Sequence, residues 1–506
     1  MNIDLLLISD TAETIFQRTI GPYQVAHHAR KNGFTAQVID FASMFNPEEI
    51  ESLVLQCIGD NTLAIGVSTT FLNYERKRTK ISAISNDSGL PEDIANLLSS
   101  IKTKYPTIKI IAGGANSYHI KNNSLVDVVL HGYSEQSLVD YLISLRIGRK
   151  KIFPKFNGLT VIDGTSEHFD IENLDHFWDK NDCVLPKETL PIEISRGCIF
   201  SCKFCAYPLN GKKKFDYIRD PERIRDELIN NYELYGTTNY YFTDDTFNDS
   251  TYKLERLHKV ITQLPFKINF ITFLRMDLLY AHPEQIKLLY EMGLASAHFG
   301  IETLNPASGK VVGKGMNPDK LKEFMVELHD VHWKKEINYT CSFIIGLPGE
   351  TLESVQESYD WCKNAPFTCY WFPLWIKKAG PYKSDFDLNY EKHGYIVGEQ
   401  NSFSPGTKIR NGSEIIFSDT FYHWENEHMN SEIAAEYAKK FNDEGYYKNE
   451  KITGWNLLSL LNYGYTLEEA RTMSMNNISI KSLIKKKRQM FEQYKAKLLG
   501  VISAHK

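Results

Sequence analysis

The sequence has few of the features that mark secreted or membrane-bound proteins. Eight cysteines among 506 residues are too few for a disulfide scaffold. The apolar run Leu5–Ile8 near the N-terminus is too short to cross a bilayer, and no basic segment or small-residue cleavage site accompanies it. No other stretch reads as a membrane span. We therefore expect a cytoplasmic protein with no membrane partner.

A strong charge of either sign is also missing. The net charge is −5, and a hydrophobic content of 42% with a charged content of 24% is ordinary for a soluble globular protein. Such a balance gives no reason to expect a nucleic-acid partner. The basic run Lys485–Arg488 lies in a helical segment and is interpreted as a solvated face.

The length predicts two or three domains, because a chain of 506 residues is too long for one hydrophobic core. In residues 1–147, five short apolar strands alternate with helical segments, which predicts a doubly wound parallel sheet with ligands at the carboxyl ends of its strands. Residues 148–188 are less regular and are interpreted as a linker segment with a small hairpin.

Residues 189–376 repeat the strand-and-helix rhythm six times. This pattern predicts a partial TIM-like (βα)6 barrel with polar residues at the carboxyl ends of its strands. The composition changes after residue 376, where aromatic residues are interleaved with polar ones before further helical stretches. We expect residues 377–506 to form an α-rich C-terminal cap that closes the open side of the barrel.

Three cysteines follow the first strand of this second domain at a C-x3-C-x2-C spacing: Cys198, Cys202 and Cys205. Thiolates this close on one loop can converge on one metal centre. Three are an incomplete set for a structural zinc ion or for a four-thiolate iron–sulfur cluster. One coordination position is therefore left for another ligand.

The remaining cysteines of the central domain offer a weaker signal. Cys341 lies in a predicted strand, and Cys362 and Cys369 do not form a CxxC pair. We interpret all three as buried structural thiols. A second metal cluster is the alternative.

The cysteine spacing is accompanied by four further motifs in barrel order. They are Phe242–Phe247, Arg275–Asp277, Phe299–Thr303 and Phe343–Thr351. Together with an aromatic residue at Phe204, this set resembles the radical S-adenosylmethionine (radical SAM) superfamily. The resemblance implies a [4Fe-4S] cluster held by Cys198, Cys202 and Cys205, with SAM on the fourth iron. It also implies reductive cleavage of SAM to a 5′-deoxyadenosyl radical, with the electron supplied by a reductant such as flavodoxin or ferredoxin.

The same resemblance assigns SAM contacts to the strand ends. Asp244 or Asp245 is expected at the methionine amino group or the ribose, with capping of the next loop as the alternative. Glu302 is expected at the ribose or the amino group.

Two further SAM contacts are implied beside the cysteines. Phe204 is expected to pack against the adenine or the cluster. Arg275 is expected at the SAM carboxylate, because a guanidinium group suits a bidentate anion, with a salt bridge to Asp277 or to a neighbouring residue of the barrel as the alternative.

The first domain resembles the cobalamin-binding domain that precedes many radical SAM barrels. The matching segments end its third, fourth and fifth strands, and they imply cobalamin contacts from Gly66, Ser68, Gly113, Gly114, Gly132 and Glu135. The last segment, Gly132–Glu135, departs from the family's Gly-Glu-Gly-Glu, and no Asp-x-His-x-x-Gly motif offers a histidine to cobalt. A flavodoxin-like sheet without a cofactor therefore remains open.

The sequence thus leads to a hypothesis of cobalamin-dependent methylation of an unactivated carbon in a small-molecule or peptide substrate. Radical cyclisation, rearrangement or oxidation without methyl transfer is the alternative within enzymes. An iron–sulfur binding or electron-transfer module is the alternative from another class.

Overall fold

The computed structural model of the chain describes most of its residues. The described ranges are 3–11, 16–72, 80–84, 88–120, 125–148, 153–156, 159–164, 170–207, 209–378, 380, 382–398, 421–448, 453–473 and 480–504. None of the helices in these ranges combines the length and the apolar character needed to cross a membrane.

The first domain is built on a seven-stranded sheet in the order β2-β1-β3-β4-β5-β7-β6. Strands β1 to β5 and β7 run parallel, and β6 is antiparallel to β7. The predicted doubly wound parallel sheet is confirmed. The strands are β1 (Leu5–Ile8), β2 (Ala36–Ile39), β3 (Ala64–Ser68), β4 (Lys109–Gly113), β5 (Val128–His131), β6 (Lys155–Phe156) and β7 (Leu159–Asp163).

Buried apolar residues on consecutive positions explain why these segments form interior parallel strands. All four residues of β1 are buried, since helices cover both faces of the sheet. The helix Pro47–Cys57 begins at a capping box formed by Asn46 and Glu49. The helices of this domain are Ile20–Lys31, Pro47–Cys57, Glu92–Lys104 and Glu135–Arg146.

The second domain contains a six-stranded, all-parallel sheet in strict sequence order, from β8 to β13. This order confirms the predicted partial barrel. The strands are β8 (Leu190–Glu193), β9 (Asn239–Thr243), β10 (Asn269–Leu274), β11 (Leu294–Glu302), β12 (Asn338–Ile345) and β13 (Thr368–Pro373). The main α-helices between them are Pro221–Tyr235, Thr251–Ile261, Met276–Ala281, Glu284–Met292, Pro306–Val312, Pro318–Glu327 and Leu352–Cys362.

The C-terminal region is mainly helical, as expected. A small antiparallel ribbon pairs β14 (Ile396–Gly398) with β15 (His423–Glu425). The helices are Asp385–Leu388, Ser431–Lys448, Gly454–Asn462, Leu467–Thr472 and Ile480–Ala504. Ser431–Lys448 packs beside β13, and Gly454–Asn462 packs against β9 and β11.

The last helix, Ile480–Ala504, leaves the barrel and packs on the first domain. Its Tyr494 hydroxyl accepts a hydrogen bond from the Asp40 amide at 2.8 Å, and its Phe491 ring lies edge-on to Phe45. The sequence did not indicate this contact, because the paired residues are about 450 positions apart in the chain.

The segment before the barrel is bound to the first domain through buried ion pairs. Arg18 donates to Glu188 at 2.6 Å, and both side chains are fully buried. Arg30 donates to Asp182 at 2.8 Å. Removing one partner of such a buried pair would leave an uncompensated charge in the protein interior.

A buried histidine in this segment makes stability depend on pH. His176 has no exposed surface, neither ring nitrogen has a hydrogen-bond partner among the described residues, and its ring lies against His27 and Trp178. Burial is the main cause that lowers the pKa of His176 well below its ordinary value, and the nearby cationic groups lower it further. As the pH falls below about 6.5, His176 is protonated in the unfolded chain but stays neutral in the folded chain, so the free energy of unfolding decreases.

We expect His176→Phe to remove this acid sensitivity. When the pH is lowered from 7.5 to 5.5, the free energy of unfolding should fall by about 1.4 kcal/mol more in the wild type than in the variant. Thermal unfolding midpoints at both pH values measure the difference. The exposed His282→Phe serves as the matched control, and an equal acid-induced drop in all three proteins would contradict the prediction.

Candidate active site

The cysteine loop begins where β8 ends and is closed by its own backbone hydrogen bonds. The Lys212 amide donates to the Cys198 carbonyl at 3.0 Å, and the Gly211 amide donates to the Phe200 carbonyl at 3.0 Å. Gly197 has φ +110°, and a Cβ there would lie 2.6 Å from the Leu209 carbonyl oxygen. Glycine is therefore required at the entrance of the loop.

Each of the three cysteine sulfurs is met by a polar side chain. Cys198 donates to the Thr246 hydroxyl at 3.4 Å. Asn210 donates to the Cys205 sulfur at 3.0 Å, and Arg275 donates to the Cys202 sulfur at 3.5 Å. Hydrogen bonds to the sulfurs are one of the means by which proteins stabilise iron–sulfur clusters and set their potentials.

The loop fits a cluster in ligand type, in number and in surrounding donors. Among the described residues, no three metal-ligating side chains are close enough together to hold a single metal ion. This does not count against a cluster, because each thiolate of a [4Fe-4S] cluster binds a different iron and the three sulfurs need not surround one ion. Burial raises the pKa of the Cys198 thiol to about 11 and also raises that of Cys205, so cluster binding must displace protons.

The two aspartates at the end of β9 have different environments. Asp244 accepts from the Thr246 amide at 2.9 Å and from the buried ammonium of Lys253 at 3.1 Å, so it serves the following loop. Asp245 has a buried carboxylate oxygen, Oδ2, without a hydrogen-bond partner among the described residues. Burial and the neighbouring Asp244 raise the pKa of Asp245 to about 7. Of the pair, Asp245 is the one with a free oxygen for a ligand.

Arg275 follows β10 and is surrounded by partners. Its Nε and Nη2 donate to the Asp277 carboxylate at 3.0 and 2.6 Å, and its guanidinium lies 3.8 Å over the Phe200 ring. Despite burial, the hydrogen bond to Asp277 raises the pKa of Arg275. The alternative pairing with Asp277 is thus present, together with the contact to Cys202.

Glu302 ends β11 after a bulge and holds a left-handed backbone conformation, with φ +71°. Its Oε1 accepts from the Lys314 ammonium at 3.1 Å. A Cβ at Gly300 would lie 2.3 Å from this oxygen, so the carboxylate folds back over a glycine. Sequence reasoning missed Lys314, since it lies in a loop with no motif.

Phe204 is half-buried and packs against the hydrophobic core.

Cys341 and Cys369 are register partners on β12 and β13, and Cys362 is buried behind them. None of the eight cysteines forms a disulfide.

In the first domain, the predicted cobalamin contacts separate into two groups. Ser68, Gly113, Gly114 and Gly132 lie at the carboxyl ends of β3, β4 and β5, and both Gly114 and Gly132 are exposed. A Cβ at Gly114 would lie 2.6 Å from the Thr70 hydroxyl. Small residues therefore line the carboxyl edge of this sheet, the edge at which doubly wound sheets bind their ligands.

The other two residues have internal partners. Gly66 is buried, and a Cβ there would meet the Leu7 side chain at 2.5 Å. Glu135 is only 3% exposed and forms an ion pair with Arg196, the residue two positions before Cys198.

Arg196 connects the helix that follows β5 of the first domain to the cysteine loop. It also donates to the Glu193 carboxylate from Nε at 2.8 Å, and its guanidinium lies 4.3 Å over the Tyr133 ring. In turn, Glu193 accepts from Gln24 of the first domain at 2.6 Å. Sequence reasoning missed this link, because Arg196 and Glu135 are 61 positions apart.

The fold and this site define an α/β protein that places a three-thiol loop at the carboxyl ends of a parallel barrel. Residues 192–362 match the radical SAM superfamily. The match covers most of the barrel domain and the whole cysteine loop.

Two curated relatives share this region. A protein of Pyrococcus horikoshii described as an uncharacterized methyltransferase is 31% identical over 171 residues, which cover 34% of this chain and 36% of the relative. The anaerobic magnesium-protoporphyrin IX monomethyl ester cyclase of Cereibacter sphaeroides is 25% identical over 262 residues, covering 47% and 41%. The chain thus spans less than half the length of either relative.

One solved structure extends the similarity to both domains. TsrM from Kitasatospora setae, a radical S-adenosylmethionine methyltransferase solved with cobalamin and a [4Fe-4S] cluster, has a TM-score of 0.62. The superposition covers 97% of this chain and 100% of that chain at 14% identity. At this identity the similarity establishes a common fold, with a doubly wound domain before the barrel.

Proposed function

We propose that the chain is a radical SAM enzyme that methylates an unactivated carbon with the help of cobalamin. In this proposal Cys198, Cys202 and Cys205 hold a [4Fe-4S] cluster, and Asp245 and Glu302 bind SAM. The observation that carries the proposal is the three-thiol loop whose sulfurs are each met by a polar side chain of the barrel domain.

When bound, the cluster supplies the electron that cleaves SAM to a 5′-deoxyadenosyl radical. The unpartnered oxygen of Asp245 would accept hydrogen bonds from the SAM ammonium group, a charge-assisted contact. Glu302, held by Lys314, would accept from the ribose or the same ammonium. The barrel orients these groups and excludes water.

The cobalamin assignment is supported by the open edge formed by Ser68, Gly113, Gly114 and Gly132. The ion pair of Glu135 with Arg196 joins this edge to the cysteine loop. A corrin bound at the edge would therefore lie near that loop. The common fold with TsrM, which was solved with cobalamin, supports the same assignment. A small molecule or a peptide is the proposed substrate, and flavodoxin or ferredoxin the proposed class of reductant.

A second candidate keeps the radical step without methyl transfer. The similarity to an anaerobic monomethyl ester cyclase favours ring formation as that alternative. An electron-transfer module is disfavoured, because such a protein needs no free buried carboxylate oxygen beside its cluster.

Anaerobic reconstitution with iron and sulfide tests the proposal. We expect a [4Fe-4S] cluster whose EPR signal changes on adding SAM, and an unchanged signal would reject the radical SAM assignment. Purification with hydroxocobalamin should leave a corrinoid absorption spectrum. A cluster that responds to SAM in protein that retains no corrinoid would favour the second candidate.

Asp245→Asn tests the SAM contact directly. Hydrogen bonds to charged groups contribute about 1.5–3 kcal/mol, so we expect the dissociation constant for SAM to rise roughly tenfold or more, at unchanged iron content. Titration of the SAM-dependent EPR change measures it. The exposed Asp226→Asn is the matched control, and equal SAM affinities in the two variants would contradict the role of Asp245.

A further inference from the structure

The guanidinium of Arg275 is already paired, whereas a residue that binds the SAM carboxylate needs a free edge for it. Recognition of a carboxylate by arginine uses two parallel N–H groups along one edge of the guanidinium. On Arg275 the edge formed by Nε and Nη2 is already filled by the carboxylate of Asp277. Nη2 is further shared with the Gly313 carbonyl at 3.4 Å. An incoming carboxylate would have to displace Asp277 from this edge, or the contacts to Gly313 and Cys202 from the edge formed by Nη1 and Nη2.

The remaining nitrogen of Arg275 points at the cluster loop. Nη1 donates to the Cys202 sulfur at 3.5 Å, and the face of the guanidinium rests on Phe200, between Cys198 and Cys202 in the loop. The backbone is fixed as well, because the Arg275 amide donates to Asn248 and the Arg275 carbonyl accepts from it. The side chain is only 7% exposed, so little water screens its charge.

We infer that Arg275 is a positioning residue of the cluster, which holds the Cys202 sulfur and raises the reduction potential, rather than a SAM-binding residue. This inference rests on the proposed function, since it presupposes the [4Fe-4S] cluster. The physical reason is charge. Reduction adds one electron to the cluster, and a fixed cation with a hydrogen bond to a ligand sulfur stabilises the more negative state.

Asp277 has the opposite effect in this arrangement. Its carboxylate orients the guanidinium and also adds a negative charge near the cluster, which disfavours reduction. The two substitutions Arg275→Met and Asp277→Asn should therefore move the potential in opposite directions. A merely structural role would give loss of cluster in both variants without an ordered shift.

The experiment measures the midpoint potential of the cluster by EPR in reconstituted, SAM-free protein. For Arg275→Met we expect the equilibrium constant for reduction to fall about tenfold, a midpoint about 59 mV more negative for this one-electron couple. Asp277→Asn should give a less negative midpoint than the wild type. Arg256→Met, which removes a partly exposed arginine outside the site, should leave the midpoint unchanged.

The dissociation constant for SAM separates the two roles of Arg275. We expect it to stay within about twofold of the wild type in Arg275→Met, less than one hydrogen bond to a charged group contributes. A much weaker SAM affinity at an unchanged midpoint would overturn the inference and assign Arg275 to the SAM carboxylate.

Arg275→Lys keeps the charge and covers the case in which Arg275→Met loses its cluster. The lysine variant should retain iron with a midpoint between those of the wild type and the methionine variant. Loss of iron from both variants, or an unchanged midpoint in the one that retains it, would overturn the inference. A wild-type protein that assembles no cluster would instead reject the proposed function.

Discussion

Cys202→Ala protein will hold far less iron than the wild type and will not cleave SAM. Removing one of three thiolates leaves two protein ligands for a cluster, and even a change in the surroundings of a ligand costs roughly 10–100-fold in metal affinity. We therefore expect at least a roughly 100-fold loss of cluster affinity and of reductive SAM cleavage. Iron and sulfide analysis, with 5′-deoxyadenosine release under dithionite, measures both.

Cys369→Ala provides the matched control and tests the second-cluster alternative at the same time. Cys369 is half-buried on β13, opposite Cys341, and lies outside the cysteine loop. We expect its removal to leave the iron content and SAM cleavage at wild-type values. A loss of about half the iron would indicate a second cluster at Cys341, Cys362 and Cys369. Full iron content in Cys202→Ala would contradict the assignment of the loop.

Arg196→Met will lower the stability of the folded protein by about 3–5 kcal/mol, the cost of breaking a buried pair by removing one partner. The substitution leaves the carboxylates of Glu135 and Glu193 buried without their shared cation. Both side chains are less than 10% exposed, so water cannot take the place of the guanidinium. Thermal and urea unfolding of the anaerobically purified protein measures the loss.

Arg225→Met is the matched control, because Arg225 also contacts two carboxylates, those of Glu222 and Asp226, on an exposed helix surface. Exposed ion pairs contribute little, so its unfolding midpoint should equal that of the wild type. The double variant Arg196→Met with Glu135→Gln should recover part of the loss, since it removes one unpaired charge. Equal stability of the two arginine variants would contradict a buried interdomain link.

The parallel arrangement of both sheets followed from local patterns. Short apolar runs such as Leu5–Ile8 and Asn239–Thr243 alternate with amphipathic helices, and that alternation permits few arrangements other than parallel sheets. The hairpin expected in residues 148–188 is present, but pairing of β7 with β5 makes it an extension of the first sheet. Local patterns contain no information on which edge a hairpin joins.

The candidate site was predictable only to the level of residue types at strand ends. The cysteine spacing and the strand-end aspartates are local features. Which aspartate has a free oxygen depends on Lys253, whose buried ammonium lies against Asp244 rather than Asp245. That choice follows from packing of the helix Thr251–Ile261, which the sequence motif does not describe.

The sequence by itself determined the fold class, the resemblance of the barrel motifs to the radical SAM superfamily and the spacing of the three thiols, because strand periodicity and ligand spacing are short-range properties of the chain. Only the tertiary structure decided how these parts are connected. It placed Glu135 against Arg196, engaged Arg275 with Asp277 and Cys202, and brought Lys314 to Glu302. The physical reason is that burying an unpaired charge costs free energy, so a buried charge is paired with an opposite charge that lies close to it. Which residue lies close is decided by the three-dimensional fold and not by spacing along the chain.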